Sequence, residues 1–216
     1  NESRTNLTES KKQFVTSRKI NTLEEAMKGA DVFLGLSRAD ILTTEMVRSM
    51  NDKPIVFALA NPNPEIAYDK AKSSRPDLIF ATGRSDYPNQ INNVLGFPYI
   101  FRGALDVRAT CINEEMKLAA VYAIADLAKK PVPDVVNAAY NLKRISFGPD
   151  YIIPKALDPR LLTSVAPAVA KAAIESGVAR KKITDWVEYE GHLRSVMGYD
   201  NKMIRRFTEM AKQNPK

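Results

Sequence analysis

Three short apolar runs, each closed by turn-forming residues, constrain this chain more than any other feature. They are Asp31-Val32-Phe33-Leu34-Gly35-Leu36-Ser37, Pro54-Ile55-Val56-Phe57-Ala58-Leu59-Ala60 and Leu78-Ile79-Phe80-Ala81-Thr82-Gly83. Each is too short for a core helix and too continuously apolar for a strand with one wet face, so each reads as a strand buried on both faces. Helical stretches separate them. Thr43 or Thr44 caps one that reaches Met50, and residues 65–73 form another after Asn61-Pro62-Asn63-Pro64 breaks the second run. Strands alternating with helices predict an α/β fold with a parallel sheet, its strands near 31–37, 54–60 and 78–83. Ligands of open parallel sheets sit beyond the carboxyl ends of the strands. Here those ends are Gly35-Leu36-Ser37, Asn61-Pro62 and Gly83-Arg84.

Before the first run the chain is polar, with Phe14 and Val15 as early anchors and helical spacing of Leu23, Ala26 and Met27. From Asn93 onward the pattern turns helical. Asn113 caps a helix whose Glu114 and Glu115 complement the positive end of its dipole, and Met116, Ala119, Ala120, Ala123, Ile124 and Leu127 form its inner face. Asp158-Pro159 opens another, with Leu161, Leu162, Val165, Val169, Ala172 and Ala173 as its stripe and Gly177 at its end. Pro167 should kink or split that helix. Residues 183–216 are charged and amphipathic. Trp186, Tyr189, Leu193 and Val196–Met197, then Ile204, Phe207 and Met210–Ala211, predict two helices joined near Gly198-Tyr199. Exposed stripes on short helices are marginal, so these should dock on a second subunit or a following domain and shield Trp186.

Several chemistries are excluded or weakened. With a single cysteine, Cys111, and a single histidine, His192, neither an intrachain disulfide nor a zinc site of Cys and His alone can form, and a reducing compartment follows. Cys111 reads as a small core residue and His192 as a solvated one. The net charge of +7 raises nucleic acid as a partner, but the cations are scattered, with short knots at Arg180-Lys181-Lys182 and Arg205-Arg206 and no RNA-binding signature. Neither nucleic acid nor a membrane is an expected partner, since no apolar run approaches the ~20 residues that span a bilayer. No G-x-G-x-x-G is possible because no two of the nine glycines stand two apart, and the acidic residues show no metal-ligand spacing.

What remains is amide chemistry. Asn61 ends the second run, and Asn89-Gln90-Ile91-Asn92-Asn93 follows the third. An amide offers two donors and an acceptor without charge, so it can hold a carboxylate or carboxamide. The same residues are also common where a chain simply turns.

The stretches Leu59-Ala60-Asn61-Pro62-Asn63-Pro64-Glu65 and Ala81-Thr82-Gly83-Arg84-Ser85-Asp86-Tyr87-Pro88-Asn89-Gln90-Ile91-Asn92-Asn93-Val94-Leu95-Gly96-Phe97-Pro98 resemble malic enzymes. So do Phe101-Arg102-Gly103-Ala104-Leu105-Asp106-Val107-Arg108-Ala109 and Ile112-Asn113-Glu114-Glu115-Met116-Lys117, which look like the bacterial branch. The resemblance runs from about Asp31 to Ile183. It implies the C-terminal half of a Rossmann-like sheet over 1–105, a helical part over 106–182, and over 183–216 a connector towards a phosphotransacetylase-like domain.

It also implies oxidative decarboxylation of L-malate to pyruvate and CO2 with NAD or NADP and Mg2+ or Mn2+, in a cytoplasmic homo-oligomer. Asn61 and Asn93 would then bind the substrate carboxylate, with Asn61 also close to the nicotinamide. Asn92 would lie near the nicotinamide ribose, and Gly35, Leu36 and Ser37 along the cofactor. The family's catalytic lysine and tyrosine and its metal carboxylates would lie before Asn1, so the chain by itself is expected to be inactive. The competing expectation is a non-catalytic relative that binds a nucleotide or metabolite as a regulator.

Overall fold

The computed structural model describes residues 2, 4, 5 and 7–198, and the chain divides into two compact units at Pro88/Asn89. In the first, helices α1 (Glu9–Lys12) and α2 (Leu23–Met27) precede β1 (Val32–Gly35), α3 (Thr44–Arg48), β2 (Ile55–Ala58), α4 (Tyr68–Ser74) and β3 (Ile79–Thr82). The three strands form the expected parallel sheet in sequence order. Their register aligns Phe33 with Val56 and Phe80, and Gly35 with Ala58 and Thr82. Local chemistry explains the helix starts. Thr22 and Glu25 form a reciprocal capping box on α2, and the Thr43 hydroxyl accepts the N–H of Met46 on α3. The helix expected at 65–73 begins instead at Tyr68, because Pro64-Glu65-Ile66 is buried outside the helix.

One face of this sheet is covered. Met27, Phe33, Leu42, Val47, Val56, Ile66, Leu78 and Phe80 form its core; full burial of each large side chain is worth about 1.5–3 kcal/mol. The expectation that the first strand is buried on both faces fails within this unit: Val32 and Leu34 are 57% and 58% exposed. The reason is topological. Parallel strands added in one direction through right-handed crossovers place every crossover helix on the same side. Phe14, expected as an anchor, is exposed, one residue beyond the C-cap of a four-residue helix that buries nothing.

The second unit is helical. A 3₁₀ turn (Asn93–Leu95) leads into α5 (Phe97–Asp106), α6 (Glu114–Lys129), α7 (Asp134–Ala139), α8 (Arg160–Glu175) and α9 (Trp186–Val196). Helices α5, α6 and α8 supply most of the core, with Val107, Met116, Leu127, Leu161, Val165 and Val169 at its centre. The Asn113 cap on α6 is present, its side chain accepting the N–H of Met116. Asp158 accepts the N–H of Arg160 at the start of α8, and Gly177 closes that helix at φ +77°. The N–H groups of Gly177 and Val178 bond to Ile174 and Ala173, completing a Schellman motif. Pro167 does not split α8: it is buried, and tight packing of Val165, Ala166, Val169 and Ala170 on both sides of it outweighs one missing backbone bond.

One further expectation needs correction, and another is met within this unit only in part. Cys111 is exposed in the turn before α6 rather than buried, because the polar Asn113 cap that follows holds this turn at the surface. The stripe of α9 is covered by its own unit only in part: Leu193 is fully buried and Trp186 packs on the core, while Val196 and Met197 at its end stay exposed. The Tyr189 hydroxyl donates to Asp106 Oδ2 at 2.6 Å, and Arg102 Nε donates to the same oxygen at 2.8 Å. The second tail helix, at 204–211, lies outside the described residues. His192 is exposed, as expected.

Candidate functional site

The carboxyl ends of β1, β2 and β3 stand side by side, and the loops that leave them carry the first unit's candidate residues. Leu36 and Ser37 are exposed just beyond β1, and Asn61 is exposed three residues beyond β2. Neither the Ser37 hydroxyl nor the Asn61 amide makes a hydrogen bond among the described residues, so both are available to a ligand. At the end of β3 the Thr82 Oγ1 is buried with no hydrogen-bond partner, a costly state for a hydroxyl unless something else supplies one.

Beneath this edge lies a residue that sequence reasoning passed over. Glu65 is fully buried, with one carboxylate oxygen accepting the Ser37 N–H at 3.1 Å and the other the Ala60 N–H at 3.1 Å. The Leu42 N–H bonds to its backbone carbonyl at 3.0 Å. Gly35 is glycine for this reason: a methyl group there would overlap the Glu65 carboxyl. The available signal was a glutamate directly after a proline-broken turn, which reads more naturally as the acidic first turn of a helix.

A cavity of about 220 Å³ opens beside these loops, lined by Asp40, Asn63, Pro64, Tyr68, Arg84 and Tyr87. The Tyr68 and Tyr87 rings stack at 4.6 Å, and the Arg84 guanidinium lies 5.7 Å from the Tyr87 centroid. Arg84 also forks onto Asp86, at 3.0 and 2.8 Å, and its hydrogen bonds hold the Asp86 carboxyl below the usual carboxylate range.

The amides of the second unit separate into different roles. Asn89 is buried and spans the loop before α8, donating to the Pro149 carbonyl at 2.8 Å and accepting the Ile152 N–H at 3.0 Å. Asn92 caps the 3₁₀ turn, its side-chain oxygen accepting the Val94 N–H at 3.0 Å, so only its amide nitrogen is free. Asn93 is exposed on that turn and its side chain makes no hydrogen bond among the described residues. The four-amide cluster thus contains one brace, one cap and one uncommitted group; Gln90 is buried.

A dinucleotide fits the chemistry of the first unit's loops: an orphaned hydroxyl, a free serine hydroxyl and a free amide stand at the carboxyl edge of a parallel sheet. A divalent metal does not find a ligand set here, because among the described residues no three His, Cys, Asp or Glu side chains converge. No helix among the described residues is long and apolar enough to cross a membrane.

Residues 1–147 match the family model described as malic enzyme, NAD binding domain. The chain is 56% identical over 195 residues to an NADP-dependent malic enzyme of Rhizobium meliloti, covering 90% of this chain and 26% of that protein. It is also 56% identical, over 167 residues, to an NAD-dependent malic enzyme of the same organism, covering 77% and 22%. The crystal structure of a malic enzyme from Pyrococcus horikoshii Ot3 superposes with a TM-score of 0.68 at 38% identity, covering 89% of this chain and 41% of that one. The chain therefore spans about a quarter of the length of the first of these relatives. With the fold, the strand-end loops and these similarities in agreement, this chain belongs to the malic enzyme family, with residues 1–147 in its NAD-binding domain.

Proposed function

We propose that this chain is the cofactor- and substrate-contacting portion of an enzyme that oxidatively decarboxylates L-malate to pyruvate and CO2. The observation that carries this reading is that Asn61 and Asn93 are exposed with side chains uncommitted among the described residues. Asn89 and Asn92 are spent on bracing and capping, while among the described residues Asn61 and Asn93 keep both donors and the acceptor open. Each can donate to a carboxylate oxygen, and such charge-assisted bonds are about twice as strong as neutral ones. NAD(P)+, when bound, accepts the hydride lost from the alcohol carbon. Gly35, Leu36 and Ser37 would run along the cofactor, with the Ser37 hydroxyl as donor, and the free amide nitrogen of Asn92 would reach the nicotinamide ribose. Asn61, at a strand end, would lie close to the nicotinamide. The proton-transfer groups and the ligands of the divalent ion would come from outside the described residues.

The same reading includes a cytoplasmic homo-oligomer and a C-terminal phosphotransacetylase-like domain. The surplus length of the NADP-dependent relatives supports room for such a domain. A purely regulatory relative that binds a nucleotide or metabolite is the weaker reading, because the similar proteins are named as malic enzymes.

The test is malate-dependent NAD(P)+ reduction by the full-length polypeptide, with Asn61→Ala and Asn93→Ala. Losing a hydrogen bond to a charged group is worth about 1.5–3 kcal/mol, so kcat/KM for malate should fall roughly tenfold to a hundredfold in each. Well-folded variants with unchanged malate kinetics would return both residues to simple turn formation.

A further inference from the structure

Glu65 carries no step of the chemistry above, yet among the described residues it is the one fully buried carboxylate whose two oxygens reach two different strand-end loops. One oxygen fixes the N–H of Ser37, in the loop assigned to the cofactor. The other fixes the N–H of Ala60, immediately before the substrate amide Asn61. A side chain that only filled space would be apolar here, since burying a carboxylate is unfavourable unless its lone pairs are satisfied. A side chain that only satisfied one loop would not need both oxygens. The sequence also gives up a side chain at Gly35 to make room for this group.

We propose that Glu65 is a positioning residue: it sets the backbone of the Gly35–Ser37 loop and of Ala60–Asn61 against one another, so that cofactor and malate groups are held in a common frame. This inference rests on the proposed malate-oxidising function, and it makes a demand of its own. Perturbing Glu65 must weaken cofactor and malate binding together, although its carboxylate meets neither.

Glu65→Gln is the sharpest perturbation because it keeps the volume. A glutamine has one acceptor oxygen, so its amide nitrogen must face either the Ser37 or the Ala60 N–H, donor against donor. One loop is then released and the buried clamp is half satisfied. In the full-length enzyme, the KM for malate and the directly titrated Kd for NADP+ or NAD+ should each rise about tenfold or more. Gly35→Ala, which drives the carboxyl group out of its seat, should give the same signature. The double variant should lose much less than the product of the two single losses, since both act on the same clamp.

Thermal unfolding separates this from a purely structural role. A residue that only supports the fold would lower the Tm and the fraction of active molecules while leaving KM and Kd at wild-type values, and that result overturns the proposal. Multiplicative losses in the double variant overturn it as well. A wild-type enzyme that reduces neither NAD+ nor NADP+ with malate would refute the functional reading instead, and cofactor titration of Glu65→Gln would still test the clamp.

Discussion

Replacing Gly103 by alanine should destabilise the second unit even though alanine is the better helix former. Gly103 lies inside α5, where Gly→Ala alone would gain about 1 kcal/mol of helix propensity. Its missing side chain, however, faces α8. A methyl at Gly103 would overlap the carbonyl oxygen of Ala166 and approach Val169 Cβ to 2.9 Å and Cγ1 to 3.1 Å. A backbone carbonyl cannot rotate aside as a long side chain would, so the helices must separate through a core in which Ala166 and Val169 are fully buried. Overpacking of this kind costs about 1–3 kcal/mol and sometimes more. Taking the upper end, and subtracting the propensity gain, leaves a net loss of about 2 kcal/mol, or roughly 8 °C in Tm for a unit of this size.

Gly191→Ala is the matched control. Gly191 lies within α9, and an added Cβ there meets nothing within 4 Å. The same chemical change should stabilise by about 0.5–1 kcal/mol. Urea and thermal unfolding, followed by far-UV circular dichroism and by fluorescence of the single Trp186, read both variants on the same unit. If Gly103→Ala were as stable as wild type, or gained as much as Gly191→Ala, the close approach of α5 and α8 would be wrong.

The remaining expectations concern polar groups in the second unit. Burial and the hydrogen bond to Asp106 push the Tyr189 phenol well above its ordinary value of 10. Because folding favours the neutral phenol, its stabilisation is intact below pH 10 and is lost as the pH climbs towards the raised folded value. Helix α9 should therefore loosen at alkaline pH, with a red shift of Trp186 emission that Tyr189→Phe reduces; an identical alkaline profile in that variant would exclude Tyr189 as its source. Asp158 is buried and pairs with Arg160 at 2.6 Å, while Arg160 also donates to the Pro131 carbonyl. Asp158→Ala strands a largely buried guanidinium and should cost about 3–5 kcal/mol, read as a lower urea midpoint; a loss below about 1 kcal/mol would mean that solvent already compensates the charge.

Periodicity and end signals in the sequence determined the α/β class, the three parallel strands and the long helices. Those features depend on residues within a few positions of each other: Thr22 with Glu25, Asn113 with Met116, and the stripe from Leu161 to Ala173. The amide candidates were legible as a set, because Asn-rich turns after strands stand out in composition. Which amide does what was not. Asn89 is a brace only because the chain returns to it at Pro149 and Ile152, some sixty residues away, and no local pattern encodes that return. The same limit hid Glu65. Its meaning depends on two N–H groups from separate loops and on the space left by Gly35, partners that meet only once β1 and β2 are in register. The tail followed the same rule: sequence alone marked an apolar stripe from Trp186 to Met197, and only tertiary packing decided that its own unit covers the Leu193 side, leaves Val196 and Met197 exposed and bonds Tyr189 to Asp106. Local interactions are written in spacing, whereas burial and long-range pairing depend on which surfaces the folded chain brings together.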